Sequence, residues 1–186
     1  MSFYRRLRVS GATVFFTVSL AQRGGWLLVD EVTRLRAAVR QTKTERPFHI
    51  DAWVVLPDHL HAVWTLPAGD ADFSTRWGAI KARFTRNLRE DGRVRFHPTN
   101  AKALGHGVGW NPTLPRSASK VRKGDAGIWQ RRFWEHHIRD EADYWAHVRY
   151  CWLNPVKHGL VERPKYWPYS SVHRDRRFQK DMDWML

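Results

Sequence analysis

The sequence contains one cysteine, Cys151, so no disulfide can form within its 186 residues. It lacks an apolar run long enough for a signal-peptide core or a membrane span, because the apolar segment at residues 13–20 is short and alternating. Acidic residues are also few, with 18 Asp and Glu against 32 Lys and Arg. These absences argue against a disulfide-rich secreted protein and a membrane protein, and they predict a protein of the reducing cytosol.

The excess of basic residues gives a formal net charge of +14. Like charges in such excess repel one another and destabilise a compact fold, and their main use is to bind polyanions. The composition therefore favours a nucleic-acid partner over a merely soluble basic surface. Hydrophobic residues make up 42% of the chain, which is enough to build a core. The length predicts a single domain over residues 1–186.

Hydrophobic periodicity predicts four strands and three helices. The predicted strands are residues 13–20, 48–56, 59–66 and 128–138, and the predicted helices are residues 26–42, 72–89 and 140–158. Their order predicts an α+β fold, a ferredoxin-like split βαβ antiparallel sheet with an additional C-terminal helix. The periodicity fails at about residues 91–127, where several Gly, Pro and basic residues predict a flexible basic insertion.

His59 and His61 stand two residues apart in the third predicted strand. Side chains alternate along a strand, so both imidazoles lie on one face while Leu60 points to the other. Neutral imidazole is a common ligand of divalent cations, and the pair could hold one ion together. The short His-x-His pattern is equally compatible with two structural histidines on a sheet face.

Tyr150 and Asn154 are four residues apart in the last predicted helix and therefore share a face. An amide oxygen there could be a third metal ligand, and a phenol beside a metal-held phosphate could be a nucleophile. A helical tyrosine can also serve packing alone, and Tyr144 is a competing candidate on a different face. We expect no second metal centre from the other histidines of this region, because their spacings match no familiar closed site. These histidines are His136, His137, His147 and His158.

Two segments carry a resemblance to a known family. Residues 53–67 read WVVLPDHLHAVWTLP and contain an HUH signature with Leu60 as its hydrophobic member, and residues 150–159 read YCWLNPVKHG. With these motifs the chain resembles the REP-associated tyrosine transposases, relatives of the single-tyrosine HUH transposases of insertion sequences. Further similar segments are residues 4–6, 15–18, 73–77 and 129–136.

The resemblance implies both a site and a reaction. It implies a catalytic tyrosine, Tyr150, on a helix beside the sheet, with His59, His61 and Asn154 holding Mg²⁺ or Mn²⁺. It also implies that single-stranded DNA is cut and rejoined at hairpins of repetitive extragenic palindromes through a 5′-phosphotyrosine. The insertion at about residues 91–127 departs from shorter family members, which puts the details of the DNA-binding groove in doubt.

Arginines near the N-terminus and near the fourth predicted strand are the expected DNA contacts. They are Arg5, Arg6, Arg8, Arg131, Arg132 and Arg139. Two other functions stay open: a hairpin-binding protein without catalysis, and a histidine-metal nuclease that uses water and leaves Tyr150 structural. The sequence leaves monomer and homodimer equally open.

Overall fold

The computed structural model describes residues 7–90 and 127–175. Its strands are β1 (Thr13–Ser19), β2 (His49–Val55), β3 (His59–Thr65) and β4 (Trp134–His137). Its α-helices are α1 (Leu27–Asp30), α2 (Val32–Glu45), α3 (Phe73–Glu90) and α4 (Glu141–Lys157). Two short 3₁₀ helices, Pro164–Tyr166 and Ser171–Arg174, follow α4.

The four strands form one antiparallel sheet in the order β2-β3-β1-β4. The two central strands, β1 and β3, pair with each other although α1, α2 and β2 lie between them in the sequence. The edge strand β4 pairs with the other side of β1. This is the strand order of the split βαβ arrangement. The predicted fold class is therefore confirmed, including the hairpin that joins β2 to β3.

The two faces of the sheet are covered by different helices. On one face, α2 and α3 pack their apolar sides against β1 and β3 around a core that includes Phe16, Trp64 and Trp77. On the other face, α4 packs against β2 and β3 through Val148, Cys151 and Trp152. Because side chains alternate along each strand, β1 and β3 contribute to both cores. The second face carries the candidate site residues His59, His61 and Tyr150.

The observed elements differ from the predicted ones at two places. The helix predicted over residues 26–42 is interrupted at Glu31, whose backbone (φ −108°, ψ 24°) leaves the helical region and whose carboxylate accepts a hydrogen bond from Arg34. The strand predicted over residues 128–138 pairs as a ladder only at Trp134–His137. Trp129 pairs with Leu20 in an isolated bridge, and Trp134 pairs with Thr17. Five residue steps from Trp129 to Trp134 therefore lie opposite only three steps from Thr17 to Leu20, so the residues between Trp129 and Trp134 cannot all pair in a ladder.

Most of the predicted insertion, residues 91–126, lies outside the described residues, as do residues 1–6 and 176–186. The single domain over residues 1–186 stays a prediction. No helix within residues 7–90 and 127–175 combines the length and apolarity that a bilayer crossing requires.

Candidate metal centre and nucleophile

His59 and His61 lie side by side on the α4 face of the sheet. In the ladder between β1 and β3, His61 is opposite Thr17 and His59 is opposite Ser19. The two imidazole centroids are 5.0 Å apart with nearly perpendicular planes, and the residues are only 6% and 3% exposed. Leu60 points into the opposite core, as the alternation of the strand predicts.

Each imidazole is held through its Nδ1 atom. His61 Nδ1 lies 2.9 Å from the hydroxyl of Thr17, and His59 Nδ1 lies 2.6 Å from a carboxylate oxygen of Asp58. Asp58 is itself fixed by the backbone amide of Gly24 and by Arg23. Partners at Nδ1 leave Nε2 as the free ring atom, which is how metal-binding histidines are usually oriented. Among the described residues, His61 Nε2 is buried without a hydrogen-bond partner.

Burial keeps both imidazoles in their neutral form. The pKa of His61 is lowered to about 3, chiefly by burial and in smaller part by the neighbouring His59. Burial also lowers the pKa of His59, although the hydrogen bond to Asp58 opposes the shift. Only the neutral imidazole has a lone pair for a cation, so both rings are ready ligands at neutral pH.

The helix α4 brings Tyr150 and Asn154 to this pair. Its start is fixed by Asp140, whose side chain accepts a hydrogen bond from the amide of Asp143, and it ends just before Gly159, whose φ of +66° suits a residue without a side chain. Asn154 is 1% exposed, and neither its amide oxygen nor its amide nitrogen has a hydrogen-bond partner in the described structure. It lies close enough to His61 to raise the pKa of that imidazole against the stronger effect of burial.

Tyr150 stands at the open edge of the site. Its ring centroid is 5.1 Å from that of His61, and the residue is 39% exposed. Phe15 lies beneath both rings, stacked on His61 and edge-on to Tyr150. The ammonium of Lys157 lies 5.3 Å from the Tyr150 ring centroid. Tyr150 is therefore a solvent-accessible phenol between a buried imidazole and a cation.

The competing tyrosine, Tyr144, is elsewhere. Its hydroxyl donates a hydrogen bond to Asp51 on β2, 3.3 Å away, and it packs in the second core. Of the two tyrosines weighed from the sequence, Tyr150 contacts His61, whereas Tyr144 contacts Asp51.

The donor set fits a divalent cation. An unpaired buried polar atom is costly, and His61 Nε2 and the Asn154 carboxamide are such atoms at one place. Imidazole nitrogen and amide oxygen are both ligands for first-row divalent ions, and the oxygen also suits Mg²⁺. The residues that sequence analysis missed are the two orienting groups, Thr17 and Asp58. Asp58 adjoins His59 in the chain, but the pairing of Thr17 with His61 needs the strand register.

Comparison with known proteins identifies the family, although no family model matched the chain. The chain is 43% identical over 185 residues to the "REP-associated tyrosine transposase" of Escherichia coli (strain K12), covering 99% of this chain and 91% of that protein. The chain belongs to the REP-associated tyrosine transposases. A Haemophilus influenzae protein with the same family name is 41% identical over 175 residues, covering 94% of this chain and 88% of its own length.

A solved structure of a REP-associated tyrosine transposase agrees with this assignment. That structure, described as bound to a REP hairpin, superposes with a TM-score of 0.71 at 42% sequence identity. The match covers 94% of this chain and 85% of the other. The likeness therefore extends over the sheet and α4 together, and the resemblance seen in the sequence motifs is confirmed at the level of the family.

A second group of potential metal ligands was not expected from the sequence of this transposase-family chain. His136 on β4 and Asp143 and His147 on α4 place one ligand atom each within 4.8 Å of one another. Sequence spacing could not reveal the group, because one member lies on a strand and the others on a helix. Its members already satisfy each other: Asp143 lies 2.8 Å from His136 Nε2 and 3.1 Å from His147 Nδ1, and it also pairs with Arg139.

Four of the six arginines predicted to contact DNA lie within the described residues, and all four are exposed. Arg5 and Arg6 lie outside the described residues. Arg8, Arg131 and Arg132 are exposed. Arg139 is exposed as well, but its guanidinium lies 3.2 Å from Asp143, so part of its charge is already matched.

The burial of His61 predicts an acid-sensitive fold in this family member. The pKa of His61 in the folded protein, about 3, is below the ordinary value of 6.5. Between pH 6.5 and pH 3, His61 is therefore protonated in the unfolded chain and neutral in the folded chain. Stability should therefore fall as the pH drops, by about 2 kcal/mol between pH 7 and pH 5 from His61 alone. Urea unfolding in metal-free buffer at the two pH values measures the loss.

The matched variants are His61→Asn, which removes the titrating ring, and His49→Asn, which changes an exposed histidine on β2. The first should reduce the loss between pH 7 and pH 5, with His59 still contributing in the same direction. The second should leave the loss assigned to His61 in place. Equal losses in all three chains would contradict the assignment of acid sensitivity to the buried pair.

Proposed function

We propose that this protein is a metal-dependent endonuclease and strand transferase that acts on single-stranded DNA beside a hairpin, with Tyr150 as the nucleophile. The observation that carries the proposal is the position of an exposed phenol 5.1 Å, centroid to centroid, from a buried imidazole whose Nε2 atom has no partner. The Asn154 carboxamide is unpaired as well, and a bound cation would give a partner to both the Nε2 atom and the amide oxygen.

His59, His61 and Asn154 are the residues that would hold Mg²⁺ or Mn²⁺. A bound ion of this kind polarises the scissile phosphate and fixes its orientation for in-line attack. Thr17 and Asp58 hold the two imidazoles with Nε2 directed away from their Nδ1 partners. The protein's contribution is thus a pair of neutral, pre-oriented nitrogen donors and an amide oxygen.

The chemical step transfers one phosphodiester bond to the protein. The Tyr150 oxygen attacks phosphorus and loses its proton to the solvent, which reaches this exposed side chain. The bond from phosphorus to the 3′-oxygen breaks, and the 3′-oxygen takes up a proton and leaves as a hydroxyl. The 5′-phosphate stays on Tyr150. One phosphodiester replaces another, so a second 3′-hydroxyl can reverse the step and complete strand transfer.

The proposed substrate rests on charge and on a relative. The formal net charge of +14 suits a polyanion, and Lys157 places a cation beside the nucleophile. The solved relative was described as bound to a REP hairpin. We therefore propose hairpin DNA of this kind with a single-stranded flank as the substrate, held partly by Arg8, Arg131 and Arg132.

A covalent-trapping assay tests the proposed function. The protein is incubated with a hairpin oligonucleotide labelled on the strand that keeps the 5′-phosphate, with Mn²⁺, with Mg²⁺ or with a chelator, and the products are separated under denaturing conditions. We expect a labelled protein–DNA band that requires the metal. Binding without any covalent band would favour the non-catalytic protein, and free 5′-phosphate product without such a band would favour the water-using nuclease.

A further inference from the structure

We infer that the exposed face of the Trp134 ring is a stacking site for an unpaired DNA base close to the phosphate that Tyr150 attacks. The inference rests on the proposed function, because it takes the ligand to be single-stranded DNA. Trp134 opens the edge strand β4 and is 55% exposed. It lies opposite Thr17, which is also opposite His61, so Trp134 and His61 project from the same face of the sheet.

Trp134 is the outer member of a stack of three rings. Its ring is parallel to that of His136 within 6° at a centroid distance of 6.0 Å, and His136 is in turn stacked on His147 at 4.7 Å. His136 is therefore the middle ring, and within residues 7–90 and 127–175 no further ring stacks on Trp134. A planar base bound against Trp134 would add a fourth ring to the stack of Trp134, His136 and His147.

Asp143 holds two rings of the stack, those of His136 and His147, in place. This carboxylate bonds both His136 and His147, and its side chain is only 8% exposed. The hydrogen bond from His136 holds the pKa of Asp143 well below its usual range, so the carboxylate stays charged and keeps both partners. A ring whose neighbours are fixed loses little conformational entropy when a base stacks on it. The second group of potential metal ligands thus has a positioning role in this account.

Phe15 connects the stacking site to the nucleophile. Its buried ring lies 5.7 Å from the ring of Trp134 and 5.7 Å from that of Tyr150, with both contacts edge-on. The two exposed aromatic side chains therefore flank one buried ring on one open surface. A strand whose phosphate is at Tyr150 would have a nearby base within reach of Trp134.

The surroundings of Trp134 favour a nucleic acid over an apolar protein partner. Arg131 and Arg132 precede it in the chain and are exposed, and the side chain of Arg139 is 75% exposed. Cations beside a flat aromatic ring match the phosphates and bases of a single strand, and stacking of this kind tolerates any base. Two other exposed rings of the described residues, Trp26 and Tyr166, have no ring contact with Phe15.

Fluorescence of a base analogue tests the inference without requiring cleavage. The probe is a DNA hairpin with a single-stranded flank in which 2-aminopurine replaces one base at a time, titrated with a Tyr150→Phe protein in a metal-free buffer. We expect strong quenching at one flank position. Adding Trp134→Ala should remove that quenching and weaken binding roughly 5- to 150-fold. Trp134→Phe should keep most of both effects, and the matched exposed-ring control Tyr166→Ala should change neither.

A second measurement covers the case in which Trp134→Ala unfolds. The same probe with 5-iodouracil at the quenched position is photocrosslinked to the Tyr150→Phe protein, and we expect the crosslinked peptide to contain Trp134. Crosslinking to a different residue, or unchanged quenching and affinity in a folded Trp134→Ala chain, would overturn the inference. Failure of the trapping assay with quenching intact would instead reject only the proposed chemistry.

Discussion

A Tyr150→Phe protein is expected to form no covalent complex with DNA, a loss to background on the order of 10³-fold or more. The substitution removes the single oxygen that can carry the 5′-phosphate and leaves the ring in place. Because the residue is partly exposed and the ring contacts with His61 and Phe15 remain possible, the fold and the affinity for hairpin DNA should change little. Denaturing gels measure the adduct, and fluorescence anisotropy measures the affinity.

The matched control is Tyr144→Phe on the same helix. It also removes one phenolic hydroxyl, but that hydroxyl bonds Asp51 on β2. Its adduct yield should equal that of the unmodified protein. An adduct that survives in Tyr150→Phe and disappears in Tyr144→Phe would mean that the nucleophile has been assigned to the wrong residue.

A His61→Ala protein is expected to bind Mn²⁺ at least about 10- to 100-fold more weakly, and to lose most of the metal-dependent adduct. The change removes a buried, neutral nitrogen donor that has no partner inside the described structure. Isothermal titration with Mn²⁺ measures the affinity and the stoichiometry. Circular dichroism verifies that the variant, which also loses the contact with Thr17, is folded.

The control for this experiment is His147→Ala, because His147 belongs to the other group of potential ligands. The atoms of that group are engaged with each other and with Arg139, whereas His61 Nε2 is not engaged. We therefore expect His147→Ala to leave the Mn²⁺ affinity unchanged. The opposite pattern, with Mn²⁺ affinity lost in His147→Ala and kept in His61→Ala, would place the metal at the group of His136, Asp143 and His147 and would contradict our assignment.

Periodicity was sufficient to predict most of the fold. The alternation in β1 and β3 and the helical spacing in α3 and α4 follow from local sequence, so their bounds agree with the structure to within one or two residues. The interruption at Glu31 was not predictable, because glutamate is compatible with the interior of a helix and the local sequence contains no Gly or Pro that would end one. The strand predicted over residues 128–138 exists as β4, but its shorter length, Trp134–His137, was not predicted, because the length of a ladder depends on the partner strand.

The candidate site was predictable where its members are close in sequence. The two histidines follow from the period of a strand, and Tyr150 and Asn154 follow from the turn of a helix. What spacing could not show is how the helix sits on the sheet. The contact of Tyr150 with His61, and the joining of His136 to Asp143, both depend on packing across the second core.

The most direct test of the central claim is to identify the amino acid that carries DNA after the reaction. The covalent complex formed with hairpin DNA and Mn²⁺ is digested with nuclease and protease, and the modified peptide is sequenced by mass spectrometry. The account predicts a peptide from α4 with a 5′-phosphonucleotide on Tyr150. A nucleotide on any other residue, or cleaved DNA with a free 5′-phosphate and no modified peptide, would contradict it.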